Sequence, residues 1–258
     1  EKIAQEYPEK KYILFDTAVD YTLGDLSNVY SMSYKQNEGA FLAGVLAAGV
    51  TKSSMPYANE DNIIGFVGAK DTDAVINDSA VGYIQGAKFM DPEVKVLVSY
   101  VGSYVDSATA KDLALTQYAN NADTVFVAAG PASVGVIEAA AESKKYVIGV
   151  DSDQAEAYAG KPEQEFIISS ANKNVGESLY FSVEKAAEDK LPFGEAEVLG
   201  LKDGVVGIAE NDIYKKEVPE DVQKKVEDAK QDILGGKVTV DTAYGMEESK
   251  LKSIISGE

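Results

Sequence analysis

Short apolar runs, rich in β-branched and aromatic residues, alternate along the chain with longer stretches of helical spacing. Each run is continuously apolar, which is typical of strands that are buried on both faces of a parallel sheet. Six runs have this character and are predicted as strands: residues 12–15, 63–67, 94–100, 124–128, 146–150 and 166–168.

Between these runs, apolar residues recur at the spacing of a helix face. This pattern predicts helices at residues 38–50, 73–89, 108–120, 133–143 and 173–189. Strands and helices that alternate at this rhythm form βαβ units, whose strands are parallel. We therefore predict an α/β fold built on open parallel sheets.

The last third of the chain has a different pattern. Residues 198–209, with Gly200 and Gly204 between two apolar runs, predict a strand, a turn and a second strand. Residues 219–234 predict an amphipathic surface helix, with Pro219 near its start and two glycines directly after its end.

The composition excludes several kinds of chemistry. The chain has 43 acidic and 24 basic residues, and its net charge of -19 repels nucleic acid and anionic lipid. It contains no Cys and no His, so it has no thiolate nucleophile and no Cys or His ligand for zinc. Every basic residue is Lys, and without the planar fork of Arg a neutral ligand is favoured. We predict no catalytic residue, no cofactor and no metal.

Two carboxylates follow predicted strands at equivalent places. Asp16 ends the run at 12–15, and Asp151 ends the run at 146–150. Open parallel sheets bind ligands beyond the carboxyl ends of their strands, where a carboxylate can accept hydrogen bonds from two neighbouring hydroxyls. Each residue could instead cap a following turn or helix. The occurrence of two such residues favours a binding role.

Two further strand ends carry candidate groups. Tyr104 and Asp106 follow the run at 94–100, where the ring could stack on a planar base, although most of the 15 tyrosines are expected to pack in the core. Gly130 follows the run at 124–128 and would let the backbone approach a ligand, or would simply make a turn.

Two charged residues stand at the starts of predicted helices. Lys173 could donate to a ligand oxygen or base nitrogen, or be an exposed lysine whose stem covers apolar surface. Glu38 is interpreted as a carboxylate that complements the helix dipole, with a contact between lobes as the alternative.

These residues lie within a series of motifs that resembles the basic membrane protein family, the PnrA-like purine-nucleoside-binding lipoproteins of ABC importers. The matching segments run in order between about residues 12 and 240, and their order and spacing together are specific. The segments are 38–44, 65–68, 82–88, 100–106, 128–130, 148–154 and 200–204.

The resemblance implies a type I periplasmic-binding-protein fold, in which two lobes with parallel sheets hold a nucleoside in the cleft between them. It implies that Tyr104, where the family more often has Phe, stacks on the base. It further implies backbone contacts at Gly130, ribose binding by Asp151 and a ligand contact by Lys173. Asp16, Asp106 and Glu38 are additional candidates.

The same resemblance implies how the chain divides. Residues 1–101 with 171–197 are predicted to form the N-terminal lobe, and residues 102–170 with 198–258 the C-terminal lobe. The sequence departs from the family at Pro131, where Gly is usual, and at residues 53–62, which resemble an insertion. The family's opening βαβα portion is absent, so we expect an incomplete N-terminal lobe.

The resulting hypothesis is an extracytoplasmic receptor that binds a purine nucleoside and serves an ABC permease. No stretch approaches the ~20 apolar residues of a membrane span, and residues 1–11 do not resemble a signal peptide. We therefore expect membrane attachment only through a lipid anchor outside these residues. Alternatives are the same fold with a sugar, furanose signal or flavin-like ligand, a sensor without transport, and a nucleoside hydrolase that uses Asp151 and Asp153 with a metal.

Overall fold

In the computed structural model, which describes residues 1–257, the chain folds into two compact units. Unit 1 contains Glu1–Lys35 and Lys173–Val206. Unit 2 contains Gln36–Asn172 and the chain from Gly207 onward. The chain therefore passes between the units three times, after Lys35, Asn172 and Val206.

Unit 1 is built on a three-stranded parallel sheet in the order β1-β2-β8. Two helices accompany it, and its small apolar core includes Leu26 and Val29. The elements of unit 1 are α1 (Lys2–Glu6), β1 (Tyr12–Phe15), β2 (Val29–Tyr34), α7 (Val175–Ala187) and β8 (Ala196–Leu199).

Unit 2 is built on a six-stranded sheet in the order β4-β3-β5-β6-β7-β9, in which neighbouring strands from β4 to β7 are parallel. The strands are largely buried in the centre, as the continuous apolar runs predicted. They are β3 (Ile63–Gly68), β4 (Lys95–Tyr100), β5 (Thr124–Ala128), β6 (Tyr146–Asp151), β7 (Ile167–Lys173) and β9 (Val206–Ile208).

Helices connect and cover the strands of unit 2. In this unit α2 is buried along almost its whole length, whereas α9 and α10 are amphipathic and largely exposed. The helices are α2 (Gln36–Thr51), α3 (Ala74–Met90), α4 (Ser107–Ala119), α5 (Ser133–Ser143), α6 (Gln154–Ala157), α8 (Asp212–Glu217), α9 (Glu220–Leu234) and α10 (Glu248–Ser256). Among residues 1–257, none of the helices is both long and apolar enough to cross a bilayer.

Helices α2 and α3 pack backbone against backbone because glycines line their contact. A Cβ atom on Gly44 would lie 2.1 Å from the carbonyl oxygen of Tyr83, and one on Gly86 would lie 1.9 Å from that of Phe41. No side chain fits at those distances. The glycines therefore determine how closely α3 approaches α2.

The predicted α/β class with parallel sheets is confirmed, and each of the six predicted strands is present. Two details differ. Strand β7 continues to Lys173, so this residue ends a strand and the next helix begins at Val175. Strand β2 was missed because Ser31 and Ser33 interrupt its apolar pattern. Ser31 is nevertheless fully buried, and its hydroxyl accepts a hydrogen bond from the backbone N–H of Val19.

The division into units also differs from the predicted lobes. Residues 36–101 lie in unit 2, because β3 is hydrogen-bonded between β4 and β5 and a boundary near residue 101 would cut the sheet. Residues 198–206 lie in unit 1, because β8 pairs with β2. Sheet pairing, which joins segments distant in sequence, decides these boundaries.

Candidate functional site

An ion pair stands at the ends of two strands and lies within unit 1. Asp16 follows β1 directly, and Lys173 is the last residue of β7. The Nζ of Lys173 donates to Oδ2 of Asp16 at 2.8 Å. The lysine side chain is 13% exposed and the aspartate 43% exposed, so the pair keeps one open flank. Two candidates that the sequence analysis treated separately thus form one group.

A tyrosine that the sequence analysis did not identify supports this pair. Tyr34 ends β2, and its ring centroid lies 5.7 Å from Nζ of Lys173. Its hydroxyl shares a 2.7 Å hydrogen bond with that of Ser178. Burial raises the pKa of Tyr34, although the Ser178 hydrogen bond opposes the shift, so the phenol stays neutral. Tyr34 was overlooked because β2 itself was not predicted.

In unit 2, Tyr104 is held by two neighbouring loops. Its hydroxyl donates to Oδ2 of Asp73 at 2.7 Å, and its carbonyl oxygen accepts from the backbone N–H of Ala132 at 2.8 Å. The ammonium of Lys70 lies 5.6 Å from the centroid of the ring. Tyr104 follows a predicted strand and was a candidate for that reason. Asp73 and Lys70, which precede a helix 31 or more residues earlier, carry no such signal in the sequence.

Gly130 lies beside this ring. It opens a 3-10 turn, Gly130–Ala132, and has a left-handed backbone φ of 56°. A Cβ atom at this position would lie 3.3 Å from Cδ1 of Tyr104. Glycine therefore serves both the turn and the close approach of the ring, while Pro131 withholds one backbone donor from the same turn.

Asp151 ends β6, where it lies opposite Asn172 in the register of β6 and β7. Asp151 is exposed and has a φ of 69°, and Asp16 likewise has a φ of 56°. Left-handed backbone costs a residue with a Cβ atom roughly 1–2 kcal/mol, although Asp tolerates it better than most. Strained residues of this kind are frequent at binding sites and at tight turns.

The structure gives Asp106 a structural role. It is the N-cap of α4, and it accepts from the backbone N–H of Thr109 at 3.0 Å and from its hydroxyl at 2.7 Å. These hydrogen bonds hold the pKa of Asp106 below its usual value. Its carboxylate is thus engaged in capping, which was one of the two interpretations for acidic residues at strand ends.

Asp153 and Glu38 also have local roles. Asp153 caps α6 through the N–H of Ala155 and accepts from the side-chain amide of Asn211 at 2.9 Å. Glu38 lies in the first turn of α2 and is 9% exposed, a position in which its charge complements the helix dipole. Among residues 1–257, no three acidic, His or Cys side chains are grouped to hold a metal ion.

Two units built on parallel sheets, with aromatic and charged groups at strand ends, are typical of ligand-binding proteins of the periplasmic-binding type. The fold of the chain is similar to the crystal structure of an ABC transporter solute-binding protein from Aeropyrum pernix K1. The TM-score is 0.83 at 24% identity, over 99% of this chain and 76% of that one.

A family model described as "ABC transporter substrate-binding protein PnrA-like" matches residues 1–240, so the chain belongs to this family. It is 33% identical over 251 residues to the ABC transporter nucleoside-binding protein BmpA of Lactococcus lactis subsp. cremoris. It is 31% identical over 242 residues to Basic membrane protein A1 of Borrelia garinii subsp. bavariensis. Each match covers 92% of this chain and 66% of the relative, so the chain spans about two thirds of their length.

Proposed function

We propose that this chain is the ligand-binding part of an ABC importer receptor that binds a purine nucleoside and catalyses no reaction. The observation that carries the proposal is the fixed aromatic ring of Tyr104, which lies beside Gly130 and is held by Asp73. The name of the Lactococcus relative, a nucleoside-binding protein, agrees with such a ring.

Each group has a role that its chemistry supports. The ring of Tyr104 stacks on the base, and the backbone at Gly130 approaches the ligand where no side chain intervenes. The carboxylate of Asp151 accepts hydrogen bonds from the two ribose hydroxyls. In unit 1, Lys173 and Asp16 offer one donor and one acceptor to a ligand, and their opposite charges suit a neutral molecule.

The proposed partner is the permease of an ABC importer, to which the receptor delivers its ligand. The proposed location is extracytoplasmic, at the cell surface or in the periplasm, with attachment to the membrane through a lipid anchor. Family membership supports both proposals, because ABC importers receive their substrates from binding proteins of this kind.

Thermal unfolding with a ligand panel tests the proposed function. The panel contains inosine, guanosine, adenosine, uridine, cytidine, free ribose and riboflavin. A ligand at a hundredfold excess over its dissociation constant stabilises the folded state by about 2.7 kcal/mol, which raises the melting temperature measurably. We expect purine nucleosides to give the largest shifts, since the larger base offers more stacking surface than the pyrimidines.

The other outcomes separate the alternatives. Equal shifts with ribose and inosine would contradict a stacking site and indicate a sugar receptor, and a shift with riboflavin alone would indicate a flavin-like ligand. Inosine is also incubated with the protein, with and without a divalent metal, and the products are separated by chromatography. Release of hypoxanthine would indicate a hydrolase. No shift with any ligand, in a sample that unfolds cooperatively, would overturn the proposal for this chain.

A further inference from the structure

We propose that Asp73 is a positioning residue that orients the ring of Tyr104 for stacking. This inference rests on the proposed function, in which the ring contacts the base of the ligand. Asp73 lies on a different loop from Tyr104, and it is not among the residues proposed to contact the ligand. The carboxylate of Asp73 acts through the hydroxyl of Tyr104 and restricts the conformational freedom of the ring before the ligand binds.

The first observation is that the side chain of Asp73 does not cap the helix at whose N-terminus it lies. It is the N-cap of α3, where an aspartate usually accepts from a backbone N–H in the first turn. The side chain makes no such bond. Its Oδ2 instead accepts from the hydroxyl of Tyr104 at 2.7 Å, and its Oδ1 lies 3.3 Å from the hydroxyl of Thr72. The carboxylate is thus directed at the ring of the candidate site.

The second observation is that further contacts of Tyr104 add to the restraint. The N–H of Ala132 holds its carbonyl oxygen, so the backbone of the residue is fixed. The hydroxyl lies on the axis of the ring, and its bond to Asp73 therefore fixes the direction in which the ring points. The backbone at Gly130 lies beside the ring, since a Cβ atom there would lie 3.3 Å from Cδ1 of Tyr104. A phenylalanine here would keep the ring and lose the axial restraint.

A ring that is already oriented binds a base more tightly, because less conformational freedom is lost on binding. The loss on immobilising one side chain corresponds to about twofold to tenfold in affinity. Removing either the Tyr104 hydroxyl or the Asp73 carboxylate is expected to reduce nucleoside affinity by a factor in this range. Removing both is expected to cost no more than removing one, because they form a single bond.

The test is a double-mutant cycle on inosine affinity, measured by titration calorimetry at constant ionic strength. It compares the wild type with Tyr104→Phe, Asp73→Ala and the double variant. The matched control is Asp71→Ala, which removes the same charge from an exposed position on the same loop. Asn77 donates to the backbone oxygen of Asp71, so this hydrogen bond is kept in the variant. Asp73→Asn, which keeps an acceptor oxygen, is the conservative variant.

We expect each single variant to bind inosine about twofold to tenfold more weakly, and the double variant to match them. Asp71→Ala and Asp73→Asn are expected to bind within about twofold of the wild type. Wild-type affinity in Asp73→Ala would overturn the inference, as would fully additive losses in the double variant. A loss in Asp73→Asn as large as in Asp73→Ala would also overturn it, because charge and not positioning would then be responsible.

Failure of the proposed function is distinguishable from failure of this inference. If the wild type binds no nucleoside, the proposed function fails, and the same four proteins are compared by urea unfolding without ligand. Residues in contact show coupling of about twofold or more in the unfolding equilibrium constant. Additive effects on unfolding would then show that the Asp73–Tyr104 bond does not hold the ring. Coupled effects would show that the bond holds the ring in the folded protein.

Discussion

Asp16 and Asp151 both have left-handed backbone. Each residue could serve to turn the chain, or its carboxylate could bind a ligand. If the residues served only to turn the chain, glycine would serve as well, because it adopts a positive φ without steric cost. If the carboxylates bind a ligand, the side chain is required and the backbone strain is tolerated for it. A comparison of glycine with alanine at one position therefore distinguishes the turn from the side chain.

We expect Asp151→Ala to be less stable than Asp151→Gly by about 1 kcal/mol, because alanine adopts left-handed backbone at a cost that glycine avoids. Both variants are expected to lose the melting shift that inosine produces. Urea unfolding and the melting assay measure the two effects. The control is Asn121→Gly, a turn residue with a φ of 68°, which should keep the shift. A full shift in Asp151→Gly would show that this carboxylate does not bind the ligand.

At the scale of elements, the contact between α2 and α3 determines where the N-terminus of α3 lies. The backbones approach so closely that a Cβ atom at Gly86 would overlap the carbonyl oxygen of Phe41. Rigid backbone on both sides leaves no flexible group that could yield. The position of Asp73, and through it that of Tyr104, consequently depends on glycine in the middle of a helix.

We expect Gly86→Ala to destabilise the protein by about 1–3 kcal/mol or more, despite the better helix propensity of alanine, because the helices must separate. The matched control is Gly176→Ala in α7, where the added Cβ would have no atom within 4 Å beyond its chain neighbours and the backbone of its own helix. That substitution should be neutral or stabilising by about 0.4–1 kcal/mol. Urea unfolding of both variants is the measurement. Equal stability of Gly86→Ala and the wild type would refute the close packing of these helices.

At the scale of the whole molecule, acidic groups dominate the electrostatics. The net charge is -19, and Asp78 and Asp123 of unit 2 are almost fully buried, at 1% and 0% exposure. Asp78 accepts from the hydroxyl of Thr242 and Asp123 from that of Thr51, and these bonds tie distant segments together. Burial raises the pKa of both carboxyl groups above the ordinary value of 3.8, and their hydrogen bonds only partly oppose it.

These shifts predict that the contribution of Asp78 and Asp123 to stability increases as the pH falls towards the ordinary carboxyl range. A carboxyl group whose pKa is higher in the folded than in the unfolded state binds more protons when folded, so its contribution falls as pH rises through that range. Lowering the net charge also reduces self-repulsion. We expect the contribution of these two groups to the free energy of unfolding, measured in urea, to decrease as the pH rises above the ordinary carboxyl value of 3.8.

A variant identifies the groups responsible. In the double variant Asp78→Asn, Asp123→Asn neither position can ionise, and the slope of unfolding free energy against pH should be smaller than in the wild type. The positive charge of the nearby Lys145 lowers the pKa of Asp123 and so opposes part of the effect of burial. An unchanged slope in the variant would assign the pH dependence to surface charge alone.

Sequence reasoning reached the fold class and the strand-end candidates because both depend on local pattern. Continuous apolar runs predict buried parallel strands, and the residues that follow each run lie at the carboxyl end of that strand. It missed β2, whose buried serines look polar in the sequence, and therefore Tyr34. It also placed the lobe boundary near residue 101, since no local pattern records which strands pair.

The sequence by itself determined the α/β architecture, the absence of Cys, His and Arg chemistry, and the family. Only the tertiary structure decided which candidates act together. Asp16 pairs with Lys173 across 157 residues, and Tyr104 donates to Asp73 across 31. Such contacts follow from the pairing of strands and the packing of helices, which bring together side chains that no short-range spacing relates.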